Sequence, residues 1–170
     1  SDDSHVRWMK SMLKKCTRHH HKQAADGFVP KRLVDVSCNP PRLVLGDSLV
    51  STRNTRSGVR LRIPKYSALS YCWGENGSRT QLKTTNESLP SRLAGIKEDD
   101  MSAVLRDAVL VTRLLSIDYL WIDSLCILQV ESGSANQDWE EQCQDMAIIY
   151  QNAYATLQAG ASKHCNESFL

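Results

Sequence analysis

The chain has 170 residues, 41% of them hydrophobic and 24% charged, with a formal net charge of +2. That length supports a hydrophobic core without disulfide or metal staples, and the composition excludes disordered, fibrous and collagen-like classes. The most apolar stretch, residues 119–128, is broken by Asp123 and falls far short of the ~20 apolar residues of a membrane span.

Charge is unevenly placed. Residues 1–66 hold 14 Lys and Arg against 5 Asp and Glu, whereas residues 67–170 hold 7 against 14. A basic first part seeks an acidic partner, and the nearest is the acidic second part of the same chain. An external polyanion is the alternative. No specific nucleic acid is expected, because no nucleic-acid motif accompanies the basic residues. The six cysteines are scattered, without a CxxC pair, and no secretory signal pattern is seen, so reduced thiols in a cytoplasmic protein are expected. With Ser1 rather than Met in first place, a fragment or a processed form is expected.

Residues 5–25 read as a basic helix with Val6, Met9 and Leu13 on one face. It ends in Cys16-Thr-Arg-His19-His20-His21, which suits either zinc or a solvated helix end; with one Cys and no second pair, the helix end is preferred. Residues 27–65 read as β-rich. Leu33–Val36 is a short apolar run, Pro40-Pro41 breaks the chain, and Arg42–Leu45 and Val59–Ile63 are taken as the two strands of a hairpin with a long polar loop, Gly46 to Gly58, between them.

From residue 66 the pattern alternates. Tyr66–Tyr71 is a predicted strand, residues 78–101 are mostly loop, and residues 103–115 form a helix with a broad apolar face, capped by Ser102 or Asp100. Tyr119–Leu128 is a strand buried on both faces. A helical stripe follows through Trp139, Cys143, Met146, Tyr150 and Ala153, opened by a capping box of Asp138 and Glu141. Tyr154–Ala159 is the last strand. Strand, helix, strand, helix, strand implies parallel pairing with right-handed crossovers.

Several residues stand out for chemistry. Asp123 and Ser124 fall at a predicted strand end, where an open α/β sheet lines its ligand crevice, though Asp123 also suits a structural acceptor for the following turn. Tyr71, Trp73 and Gly74 offer an aromatic face and open backbone to a base and phosphates, or a Trp packed over a tight turn. Glu141 is either a carboxylate for oxocarbenium-like charge or part of the helix cap. Cys126 reads as buried.

Tyr66-x-Ala-Leu-Ser-Tyr-x-Trp-Gly74, Leu89-Pro90, Arg106-Asp-Ala108, Tyr119-Leu-Trp-Ile-Asp-Ser-Leu-Cys-Ile127-x-Gln129 and Met146-x-x-Ile-Tyr-x-x-Ala153 resemble the fungal heterokaryon incompatibility (HET) domain. Pro30-Lys-Arg-Leu-Val-Asp35 resembles a stretch often found upstream of it. The resemblance implies a flavodoxin-like or TIR-like, mainly parallel sheet over residues 66–170. A basic helical segment (1–26) and a β-rich lead region packed on the core (27–65) are expected before it, and the resemblance implies a protein that continues beyond residue 170. It implies an assembly or interaction module of non-self recognition and programmed cell death. Its partners would be other death-signalling proteins or a second copy of itself. Because some TIR domains cleave NAD, it also implies a nucleotide glycohydrolase alternative, with Glu141 and Asp123 catalytic and Tyr71, Trp73, Gly74 and Ser124 binding NAD or a related nucleotide. The chain departs from the family pattern at Val130-Glu131, at Ser116 where Gly is usual, and at Gln142 where Glu is frequent. Any TIR-like carboxylate would then fall to Glu141 or Glu140.

Overall fold

The computed structural model describes residues 3–19, 27–55, 58–75, 80–130 and 137–170, with side chains of 17–19, 55 and 58–60 left aside. In chain order it contains helix α1 (Asp3–His19), strands β1 (Arg32–Asp35), β2 (Arg42–Leu45), β3 (Ser51–Thr55), β4 (Gly58–Arg62) and β5 (Tyr66–Ser70). Helices α2 (Leu89–Ala94) and α3 (Ala103–Leu114), strand β6 (Tyr119–Trp121), the one-turn helix α4 (Asp123–Cys126), helix α5 (Gln137–Asn152) and strand β7 (Ala155–Gln158) follow. Short 3-10 turns occupy Gly46–Leu49 and Glu98–Asp100.

Five strands form one sheet in the order β2-β1-β6-β5-β7. The β6-β5-β7 core is parallel, as the alternation of elements requires, with Ala68 beside Trp121 on one side and Thr156 on the other. The lead region enters the sheet itself, since β1 pairs antiparallel with both β2 and β6. The sheet is therefore mixed rather than mainly parallel. The expected hairpin of residues 42–45 with 59–63 does not form. Arg42–Leu45 turns back on β1, and the polar stretch read as loop supplies β3, which pairs with β4 in a separate two-stranded sheet.

Successive residues of a strand face opposite sides of a sheet. The Tyr66 hydroxyl donates to the Ile149 carbonyl on α5 (2.5 Å), while the hydroxyl of Ser67 bonds that of Thr112 on α3 (2.8 Å). The two helices thus cover opposite faces. On the α5 side Trp121 is fully buried and meets Tyr150 edge-on at 5.6 Å. On the other side α1 lays Met9 and Leu13 against Val111, Leu115, Ile117 and the start of β7.

Three expectations shift. The strand read as residues 119–128 ends at Trp121, because Asp123–Cys126 coils into α4; its burial comes from core packing, not from a longer strand. The α5 stripe holds at Met146, Tyr150 and Ala153, which pack on the core, but Trp139 is half exposed, and Ile149 and Gln142 beside the stripe are buried. Ser102 sits at the N-cap of α3 but its hydroxyl makes no cap bond; the Val104 N–H instead donates to the carbonyl of Cys165 (3.0 Å). The sequence reading of a helix through residue 25 extends outside the described residues, as do His20 and His21. Among the described residues no helix is long and apolar enough to cross a membrane, and no group of three His, Cys, Asp or Glu is set to hold a metal.

Candidate functional site at the strand ends

The three parallel strands point their C-terminal ends the same way. Counting by order of appearance, they lie second-first-third across the sheet, so the chain switches sides at β5. A crevice opens beyond the strand ends at such a switch. The Ala68–Trp121 register, extended by two residues, sets Asp123 level with Ser70.

Five of the six residues singled out in the sequence meet at this end. Tyr71 follows β5 directly, and its hydroxyl oxygen lies 3.1 Å from Ser124 Oγ. Asp123 Oδ1 accepts the Ser124 backbone N–H (2.7 Å), and its carboxylate is further bonded by the Tyr71 hydroxyl and the Trp73 indole. Burial dominates its electrostatics and raises its pKa, with those three donors pulling in the opposite sense. Tyr71 is likewise held neutral, its pKa pushed up by burial and by the neighbouring Asp123 charge. Gly74 takes φ +79°, and a Cβ there would stand 2.4 Å from the Cβ of His164. Only glycine lets the loop after β5 lie so close to residues 160–166. Lys83 reaches over the Trp73 ring at 5.4 Å.

Sequence reading missed Gln81. It is buried in what looks like a polar loop, and its Nε2 donates to the hydroxyls of Tyr71 (2.5 Å) and Ser124 (3.3 Å), while its Oε1 has no partner. Nothing in its local sequence marks it, because contact across 43 residues places it. Two clefts flank the cluster between the same chain segments. One of about 350 Å³ is lined by Tyr71, Cys72, Gln158, Gly160 and Ser162. The other, of about 380 Å³, is lined by Trp73, Gly74, Thr80, Lys163, His164 and Asn166. Ser162 is buried and its hydroxyl has no partner.

Glu141 is placed elsewhere. It is exposed, and it accepts from Gln137 (2.8 Å) and from Lys31 (3.1 Å), which together hold its pKa down. The expected capping box is absent, because α5 begins at Gln137 and Asp138 lies inside it. The Asp138 carboxylate turns to the lead region instead, bonding Arg32, Lys31 (2.9 Å) and the Leu128 N–H (2.8 Å). Burial opposes its charge, but these three donors outweigh it and hold the carboxyl below the usual range. The basic first part and acidic second part of the chain do meet here. The inward polar residue near the start of α5 is Gln142, with Oε1 unpartnered. Cys126 is fully buried, and desolvation pushes its thiol up to about 12, which removes it as a nucleophile.

A search of curated proteins and one of solved structures found no match. Residues 66–170 match the family model of the heterokaryon incompatibility protein (HET), from the first residue of β5 through the segment that closes on Gly74. The buried strand end at Asp123, the aromatic loop after β5 and the helix that follows all lie within that match. The chain is a member of the HET family.

Proposed function

We propose that this HET domain serves fungal non-self recognition and programmed cell-death signalling as an assembly module, and that it binds a nucleotide-like ligand at the strand ends. The observation that carries this reading is the convergence of Tyr71, Trp73, Gly74, Asp123 and Ser124 on one end of the parallel sheet, beside two clefts. Trp73 offers a face for a base and Gly74 an open backbone for phosphates. Gln142, an amide, holds the inward place near the start of α5, which favours binding over turnover. The partners in this reading are other death-signalling proteins or a second copy of the domain, in the cytoplasm. Expression of the chain in a fungal host, with self-association followed by light scattering, tests it. A growth defect and ligand-dependent assembly are expected, both lost in Trp73→Ala. A monomer at every concentration with normal growth overturns it.

The second reading is a TIR-like glycohydrolase that breaks the bond between nicotinamide and ribose in NAD. Asp123 favours it, being a half-buried carboxylate at the crevice that can face developing positive charge on the sugar. In this reading Glu141 is the other candidate. Incubation of the protein with NAD, with nicotinamide release followed, decides the matter. Turnover abolished in Asp123→Ala or Glu141→Ala supports catalysis; absence of turnover, or turnover unchanged in both, rejects it.

A further inference from the structure

A third cleft lies away from the strand ends, where α1 rests on the core. It has a volume of about 340 Å³ and is lined by Lys10, Lys14, Lys65, Ser116, Tyr154 and the apolar Leu13, Leu115 and Ile117. Lys10 and Lys14 are one helical turn apart on α1, so they share a face. Lys65 comes from the residue before β5. It stands with Nζ 4.3 Å from the centre of the Tyr154 ring. Among the described residues none of the three ammonium groups has a carboxylate partner.

Three like charges gathered at one concave site repel one another, and a bound anion relieves that repulsion. The backbone points the same way. Ser116 adopts φ +60° at the end of α3, a position where glycine is the unstrained choice. Serine there adds a hydroxyl at the cleft, and Lys10 Nζ donates to it (2.9 Å). That hydroxyl has its own proton left to donate to an anion.

We propose that this cleft binds a compact, multiply phosphorylated small molecule, which clamps α1 onto the core by bridging Lys10 and Lys14 to Lys65. A short cleft of this size, lined on one side by Leu13, Leu115 and Ile117, suits a small polyanion better than an extended strand of nucleic acid. The site is separate from the strand-end crevice and stands whether or not that crevice binds a nucleotide. Occupancy would fix α1 over Tyr154 and the start of β7, where Met9 and Leu13 already pack.

The test uses the whole 170-residue chain with inorganic tripolyphosphate and with inositol hexakisphosphate, read by calorimetric titration and thermal shift. Saturable binding is expected, with a raised Tm, slower tryptic cleavage within α1 and affinity that falls with salt. Lys10→Ala with Lys65→Ala should weaken binding by about tenfold or more, while Lys97→Ala, far along the chain on an exposed turn, should leave it unchanged. Ser116→Gly should weaken the ligand yet not the fold, which separates lost contact from lost structure. Absence of binding, equal loss in Lys97→Ala, or tighter binding of a short single-stranded DNA that ignores the Lys10/Lys65 pair would each overturn the proposal.

Discussion

Asp123 keeps its carboxylate largely out of water, and the Ser124 N–H, the Tyr71 hydroxyl and the Trp73 indole only partly offset the cost of that charge. A carboxyl whose native pKa is raised stabilises the fold most fully below its ordinary value of 3.8 and loses that contribution as pH climbs through the raised value. Asp123→Asn keeps an acceptor for Tyr71 and Trp73 but carries no charge. It should stabilise the protein at neutral pH by on the order of 1 kcal/mol, with the gain vanishing below pH 4 or so. Denaturant melts at pH 3 and pH 7 check this. Asp138 behaves oppositely. Its native pKa is lowered, so its contribution is present above 3.8 and is lost as pH falls through the lowered value. Arg32 is only 4% exposed beside it, so Asp138→Ala strands a buried guanidinium and should cost about 3–5 kcal/mol. A double change of Arg32→Met with Asp138→Leu should recover most of that loss in the same melts.

At the level of elements, the loop after β5 and the segment after β7 form a clasp. The Ala159 N–H donates to the Ser70 carbonyl (2.9 Å), the Cys165 N–H reaches the Trp73 carbonyl (3.4 Å), and Gly74 lies against His164 between them. Gly74→Ala meets both a positive φ and a backbone-proximal clash, so it should lower stability by about 1–3 kcal/mol. Amide exchange should show residues 160–166 opening first. The helices that the chain pattern foretells, α3 and α5, exist with nearly the expected limits, because a 3.6-residue apolar period survives in any packing. Their precise faces were less legible. Met146, Tyr150 and Ala153 of the α5 stripe pack on the core as their spacing predicts, but Trp139 in the same spacing is half exposed while Gln142 and Ile149, outside it, are buried. Asp123–Cys126 likewise reads as strand in an apolar run, where a short buried helix and a buried strand look alike.

Across the whole molecule, the lead region is structural. β1 covers the outer edge of β6, and Leu33, Val34, Val36 and Leu43 are buried in the main core. Each fully buried side chain is worth about 1.5–3 kcal/mol, against a total stability on the order of 5–15 kcal/mol. A chain of residues 66–170 alone should therefore fail to unfold cooperatively and should aggregate through the bared β6 edge. Calorimetry and sedimentation would check this, and a cooperative, monomeric 66–170 would contradict it. Most of the strand-end cluster was legible because Tyr71, Trp73 and Gly74 close a strand signal, the Asp123 carboxylate interrupts an apolar one, and parallel strands bring their ends together. Gln81, Ser162 and the lysine cleft were not, because each depends on contacts between distant segments.

By itself the amino-acid order determined the parallel β5-β6-β7 alternation, the two amphipathic helices and the family, because periodicity and short motifs are local properties of the chain. Only the tertiary structure decided that β1 and β2 extend the sheet, that Asp138 pairs with Arg32 while Glu141 turns outward, and that three lysines share one cleft. Those outcomes follow from which faces find partners across long separations, and a buried charge must be matched by whatever group the packing brings beside it.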